Sequence, residues 1–148
     1  MLLKFANLIA FKYNKVVQQT SDGILEEKLF TPIDRALFNL AYETKKQNWK
    51  FDFTTQFIGK QHLPYTQNNP VKFQMSDYSP SYFRLLGQTT YVQKNLEAYI
   101  GCENMNNFVQ QDRIIDAANP NSNYFDASII WGPVTGRMFY AGVRFSMK

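Results

Sequence analysis

The stretch RMFYAGVRFSMK, Arg137 to Lys148, closes the chain and decides how the rest is read. Phe139, Ala141, Val143, Phe145 and Met147 fall on one side. Met138, Tyr140, Gly142, Arg144 and Ser146 fall on the other. Successive side chains of a strand point to opposite faces, so one face here is wholly apolar and the other carries a charge, hydroxyls and a glycine. The stretch is therefore expected to form a strand with one dry side and one wet side.

Working backward, the same alternation recurs in five earlier segments. Lys4 to Val17 puts Phe5, Ile9, Phe11 and Tyr13 on one face, interrupted by Asn7, against Lys4, Lys12 and Asn14. Ile33 to Thr44 sets Ala36, Phe38, Leu40 and Tyr42 against Arg35, Asn39 and Glu43. Trp49 to Gly59 is the cleanest: Trp49, Phe51, Phe53, Thr55 and Phe57 oppose Lys50, Asp52, Thr54 and Gln56. Tyr82 to Val92 sets Phe83, Leu85, Gly87, Thr89 and Tyr91 against Arg84, Gln88 and Thr90. From Asn95, the residues Leu96, Ala98, Ile100 and Cys102 oppose Glu97, Tyr99 and Glu103. Period two throughout predicts an all-β chain of about six antiparallel strands.

The connectors alternate as well. Gln19–Pro32, Lys60–Ser81 with Pro64, Pro70 and Pro80, and the Asn- and Gln-rich Met105–Gly136 are long; Lys45–Asn48 and Gln93-Lys94 are short. Membrane barrels join strands in this way, with tight turns on the periplasmic side and long loops outside.

Composition narrows the functional classes. With 148 residues there is room for one ordinary domain. The sixteen Lys and Arg form no run, Lys45-Lys46 being the one adjacent pair, so no nucleic-acid partner is expected. Cys102 is a single cysteine and cannot form an internal disulfide, and His62 is a single histidine in a polar stretch. No nucleophile–base pair or metal-ligand set is apparent, so no catalytic residue, metal or cofactor is expected. No run approaches the ~20 apolar residues of a membrane helix. Met1 to Phe11 is broken by Lys4 and Asn7 and lacks a clean small-residue cleavage site. It reads as strand rather than signal peptide, and the chain is expected to carry no export signal of its own.

A soluble antiparallel sheet with one face on a core also alternates, and a soluble β-rich binding module is the alternative. Three features favour the membrane. Several segments reach the ~9–11 residues of a tilted span, against ~5–6 for soluble strands. Trp49, Tyr42, Tyr91 and Tyr13 sit near strand ends, where interfacial aromatics gather. All six polar faces carry charge, as a wet lumen allows.

Sequence motifs add a resemblance. From Leu96 the chain reads LEAYIGCENMNNFVQQDRIIDAANP, followed by YFDASIIWGPVTGRMFYAGVRF. The Tyr99–Asn104 stretch with Asn107-Phe108, the series from Phe125 to Arg137, and the closing strand resemble the C-terminal end of TonB-dependent outer-membrane receptors of the Bacteroidetes type. Trp49-Lys50-Phe51-Asp52, Gly59-Lys60-Gln61 and Leu63-Pro64 fit the same pattern. Each motif also has a purely architectural reading. Trp131-Gly132-Pro133 is a turn with an aromatic anchor, Gly136-Arg137 a turn leading into a strand, and Glu103-Asn104 a strand end with local Asn bonding.

The resemblance implies a barrel of about 22 strands holding a plug domain and TonB box. Neither is apparent here, and six strands fall below the ~8 of the smallest membrane barrels. Residues 1–148 are thus expected to be the C-terminal fragment of such a barrel, not transport-competent alone. The implied partners are the missing N-terminal strands and plug domain, TonB through that plug, outer-membrane lipid, and a small-molecule nutrient. The nutrient would be of the siderophore, cobalamin or oligosaccharide class, and the place the outer membrane. Arg35, Lys50, Asp52, Arg84, Glu97 and Arg144 would face the lumen. Tyr124, Phe125 and Trp131 are the loop residues expected to touch ligand, since binding groups concentrate on loops over a rigid scaffold.

Overall fold

A computed structural model describes residues 4–19 and 23–147. The chain is all-β, and its main body is one antiparallel sheet of six strands. These are β1 (Lys4–Tyr13), β4 (Asp34–Glu43), β5 (Trp49–Ile58), β6 (Tyr82–Gln93), β7 (Leu96–Glu103) and β8 (Met138–Phe145), each hydrogen-bonded to the next in that order. A separate hairpin pairs β2 (Val17–Gln19) with β3 (Leu25–Glu27). The sheet is open, with β1 and β8 as its edges. Met1–Leu3, part of the N-terminal stretch read as strand, lie outside the described residues.

The pairing registers keep the alternation in phase across the whole sheet. Phe11 stands opposite Ala36, Ala36 opposite Phe57, and Phe57 opposite Phe83. Lower down, Phe53 faces Gly87, Gly87 faces Cys102, and Cys102 faces Phe139. Directly paired residues share a face, so every apolar set predicted from the sequence joins one continuous surface. That surface is bare. Ile9 is 76%, Phe139 72% and Val143 68% exposed. At the short-turn end it carries a run of aromatic contacts: Phe5 to Tyr42 at 4.8 Å, Tyr42 to Phe51 at 6.0 Å, Phe51 to Trp49 at 6.2 Å and Trp49 to Tyr91 at 4.8 Å.

The first strand is shorter than the sequence pattern predicts, ending at Tyr13 rather than Val17. The Asn14 N–H donates to Ile33 O at 2.7 Å and its side-chain amide to Pro32 O at 2.9 Å. The chain turns there, and Val17 pairs with Glu27 in the hairpin instead of extending the sheet. The alternation through Val17 is real but serves two different elements. The two tight connections each contain a left-handed residue, Gln47 at φ 58° and Lys94 at φ 53°.

The opposite face shows a reciprocal packing device. Tyr99 lies over Gly142 of β8, and Tyr140 lies over Gly101 of β7; both are directly paired positions. A Cβ on either glycine would run into the facing ring. Each tyrosine covers a backbone that has no side chain of its own, as aromatic residues do over sheet glycines. The Tyr140 hydroxyl then donates to Gln88 Oε1 at 3.0 Å, tying β8 to β6 across β7.

Gly142→Ala should therefore cost about 1–3 kcal/mol through overpacking, read from the guanidinium midpoint of the chain refolded in detergent. Tyr99→Ala in the same chain removes the obstruction, so the double variant should lose less than the two single losses added together. Strict additivity would rule this packing out.

Candidate functional site

All three long connectors emerge at the same end of the sheet, after Tyr13, Ile58 and Glu103. There they form a cap with its own small core. Leu63, Ile115 and Ile129 are buried together, packed by Phe30, Phe73, Met75 and Trp131. This cluster draws on every long connector, whereas the sheet's apolar face has nothing packed over most of it.

Backbone pairing starts the cap. Ile33 N donates to Lys60 O at 2.9 Å, Phe30 N to His62 O at 3.0 Å, and Ser79 N to Gln61 O at 2.9 Å. Side-chain amides complete it. Gln110 is fully buried; its Nε2 donates to Ile129 O at 2.7 Å. Its Oε1 accepts from Trp131 N at 2.9 Å and Gly132 N at 3.0 Å. Gln61 Nε2 reaches Trp131 O at 2.7 Å. Asn104, left-handed at φ 51°, accepts from Phe108 N at 3.0 Å and donates to Phe108 O at 2.7 Å and Thr135 O at 3.2 Å. Buried backbone groups without ladder partners must find side chains, and these amides supply both donor and acceptor.

The single histidine also serves the cap. His62 Nδ1 sits 3.3 Å from Glu27 O and its ring packs 5.2 Å from Tyr78. The Tyr78 hydroxyl donates to Glu27 Oε2 at 2.8 Å, and that bond raises the phenol's pKa above its ordinary value. The Asp116 carboxyl is held below its ordinary value, first by donation from the Asn119 side chain and then from Ser122. Among the described residues, no group of three His, Cys, Asp or Glu is placed to hold a metal ion.

A cleft of about 650 Å³ opens between the 63–80 and 108–131 portions of the cap. Phe73, Met75, Phe108 and Trp131 give it an apolar wall, and Lys72, Asp112 and Asp116 give it charge. Of the three loop residues expected to meet ligand, Trp131 lines this cleft. Tyr124 stands at its margin, stacked 5.2 Å from Phe73. Phe125 does not line it. Phe73, Asp112 and Asp116 were not singled out from the sequence, since they lie some forty residues apart and only folding brings them together.

The six residues expected to face the lumen all share the charged face. Arg35 pairs across Ile58 to Tyr82, Asp52 across Gln88 to Gly101, and Glu97 with Arg144. Arg144 donates to Glu97 at 3.0 Å, Lys50 lies 3.7 Å from the same carboxylate, and Arg84 lies 3.7 Å from Glu103. The cap folds over this face: Tyr82 stacks on Phe108 at 4.6 Å with Trp131 at 5.9 Å.

No protein-family model matches this chain, and neither a curated protein nor a solved structure matches it.

Gln110→Leu should leave two N–H groups and one carbonyl without partners in the cap, costing about 1–3 kcal/mol for each group left buried. Hydrogen exchange at the Trp131 and Gly132 amides should quicken sharply while that of β5 and β6 is unchanged. Undiminished protection at Trp131 would show that Gln110 does not hold the turn.

Proposed function

We propose that this chain forms the C-terminal strands and outer loops of a TonB-dependent outer-membrane receptor, a transmembrane barrel for active nutrient uptake. The observation that carries the reading is the exposed, largely apolar face that runs across all six strands of the sheet. In water such a surface is costly, because contiguous exposed apolar patches beyond a few hundred Å² are rare on soluble monomers. Facing lipid, the same surface is in its proper solvent. A strand of ten residues, as β4 and β5 are, tilted by about 40° rises roughly 25 Å, the height of a barrel's apolar band.

Charge distribution supports the same reading. All four ion pairs between described residues lie on the opposite face, where a lumen would keep them wet. The edges support closure by further strands. β1 runs toward the cap and β8 away from it, so an even number of added strands closes the sheet with antiparallel pairing throughout. Unpaired edge groups in hydrocarbon cost several kcal/mol each, which is why a partner is required. The cap then lies outside, and its cleft becomes the place for a nutrient, with Trp131 in its wall.

Two measurements test this. In lipid bilayers, the Trp131→Phe chain retains Trp49 alone, whose fluorescence should be quenched by brominated acyl chains. The Trp49→Phe chain, with Trp131 in the cap, should escape quenching. Equal behaviour would count against the orientation. In cells, the tryptic peptide Ile114 to Arg137 should appear in an outer-membrane band far heavier than 17.3 kDa. Its recovery at 17.3 kDa from the soluble fraction would favour a soluble binding module instead.

A further inference from the structure

The charged face is not evenly balanced along its length. At the short-turn end, Lys4, Lys50 and Arg144 meet Glu43, Glu97 and, farther in, Asp52. At the cap end, Lys12, Arg35 and Arg84 share this face with one strand carboxylate, Glu103. Lys12 is paired directly with Arg35 across β1 and β4, two cations side by side. Like charges placed directly opposite in a sheet are unfavourable unless an anion intervenes.

Arg84 adds a second, independent sign. Among the described residues its Nε is enclosed without a hydrogen-bond partner, and it makes one ion pair, with Glu103, at a loose 3.7 Å. Among the described residues neither Lys12 nor Arg35 makes an ion pair. An enclosed guanidinium N–H without an acceptor marks a place where a ligand's acceptor would fit. Arg84 also lines an open recess of about 460 Å³ beneath the cap, between Tyr82 and the 130–135 segment. Tyr82 shares a row of the sheet with Arg35 through Ile58, and Arg84 follows it on the same face of β6. Arg35 and Arg84 stand on either side of β5, two strand spacings across and two residues along, about 12 Å apart at the backbone.

We propose that the cap end of the charged face binds a small solute carrying two or more carboxylate or phosphate groups. One anionic group meets Arg84 in the recess, and another bridges Arg35 and Lys12. Guanidinium forks bind such groups bidentately, and cations that converge in a recess with apolar walls raise the local anion concentration. The inference does not need a barrel, because this face is wet whether the sheet lines a lumen or stands in solvent.

Citrate and pyrophosphate, titrated separately into the full chain in detergent at fixed ionic strength, test it by calorimetry. At least one should bind saturably, with acetate tenfold or more weaker. R84Q and R35Q should each weaken binding tenfold or more, while K50Q, at the balanced end, should leave it unchanged. The unaltered chain gives a check independent of any variant: the bound anion should protect Arg84 and Arg35 from phenylglyoxal, read by mass spectrometry, and leave Arg144 reactive. Absence of saturable binding by both anions, an equal loss in K50Q, or uniform protection of all three arginines would overturn the site.

Discussion

Phase is the constraint on which everything else rests. The side-chain period of a strand is two, so a slip of one residue in any pairing would turn that strand's aromatic set to the charged side. All five pairings of the main sheet avoid this. Phe5 meets Tyr42, Leu40 meets Phe53, Thr89 meets Ile100, and Ala98 meets Val143, each apolar or neutral position landing beside another. The same phasing gathers the ion pairs on the other side, where Glu97 can reach both Lys50 and Arg144. Exposed pairs of this kind contribute at most about 1 kcal/mol each, so they do not hold the sheet together. Their value is in register: a slipped β8 would carry Arg144 away from Glu97 and set it among Val143's apolar neighbours.

The cap solves a different problem. Connectors this long cannot satisfy their backbone through a ladder, yet Ile129, Gln110 and Ser79 are almost wholly buried. The chain answers with primary amides. Gln110, Gln61 and Asn104 each bond to the backbone of a distant segment, acting as substitutes for the strand that is not there. In the longest connector Gln110, with Asn106 and Asn107, has this role, each bonding to the backbone of another segment. Amide bonding also explains why Trp131 can stand in the cleft wall with a fixed orientation: its N–H and its carbonyl are both held.

The strands were legible in the sequence because their signal is local. Trp49 to Phe57 declares its two faces within nine residues, and the boundaries of β4, β5, β6 and β7 fall within a residue or two of the alternating segments, whereas β8 ends at Phe145, short of Ser146 and Met147, and Lys148 lies outside the described residues. The β2–β3 hairpin was not singled out, although Asp22-Gly23 between Val17 and Leu25 is a turn signal. Its strands are three residues long and exposed on both sides, so no alternation announces them. The shared face of Arg35, Lys50, Asp52, Arg84, Glu97 and Arg144 followed from parity alone. The cleft did not. Lys72 and Asp116 become neighbours only through the pairing of connectors, and nothing in either local sequence carries that information. Trp131 stood out because an aromatic before Gly-Pro is an anchor wherever it packs; Phe125 had the same chemistry without the enclosure.

The cap and the sheet constrain each other through one feature, the side on which the loops fall. Had the long connectors folded over the aromatic face, they would have buried it and made an ordinary two-layer domain. Instead Phe108 and Trp131 pack on Tyr82, which is on the charged side. Met105 packs on the other face over Gly87, midway along β6. The chain thus spends its loop aromatics on the face that needs covering least by hydrophobic criteria. That choice fits the proposal that the aromatic face meets another apolar phase. On the proposed reading, a sheet that leaves its apolar side open, gathers its ion pairs on the reverse, and folds its loops toward the charges would be arranged around a wet interior. Arg84 lies where that interior would begin, beneath the loops and at the end of the paired charges.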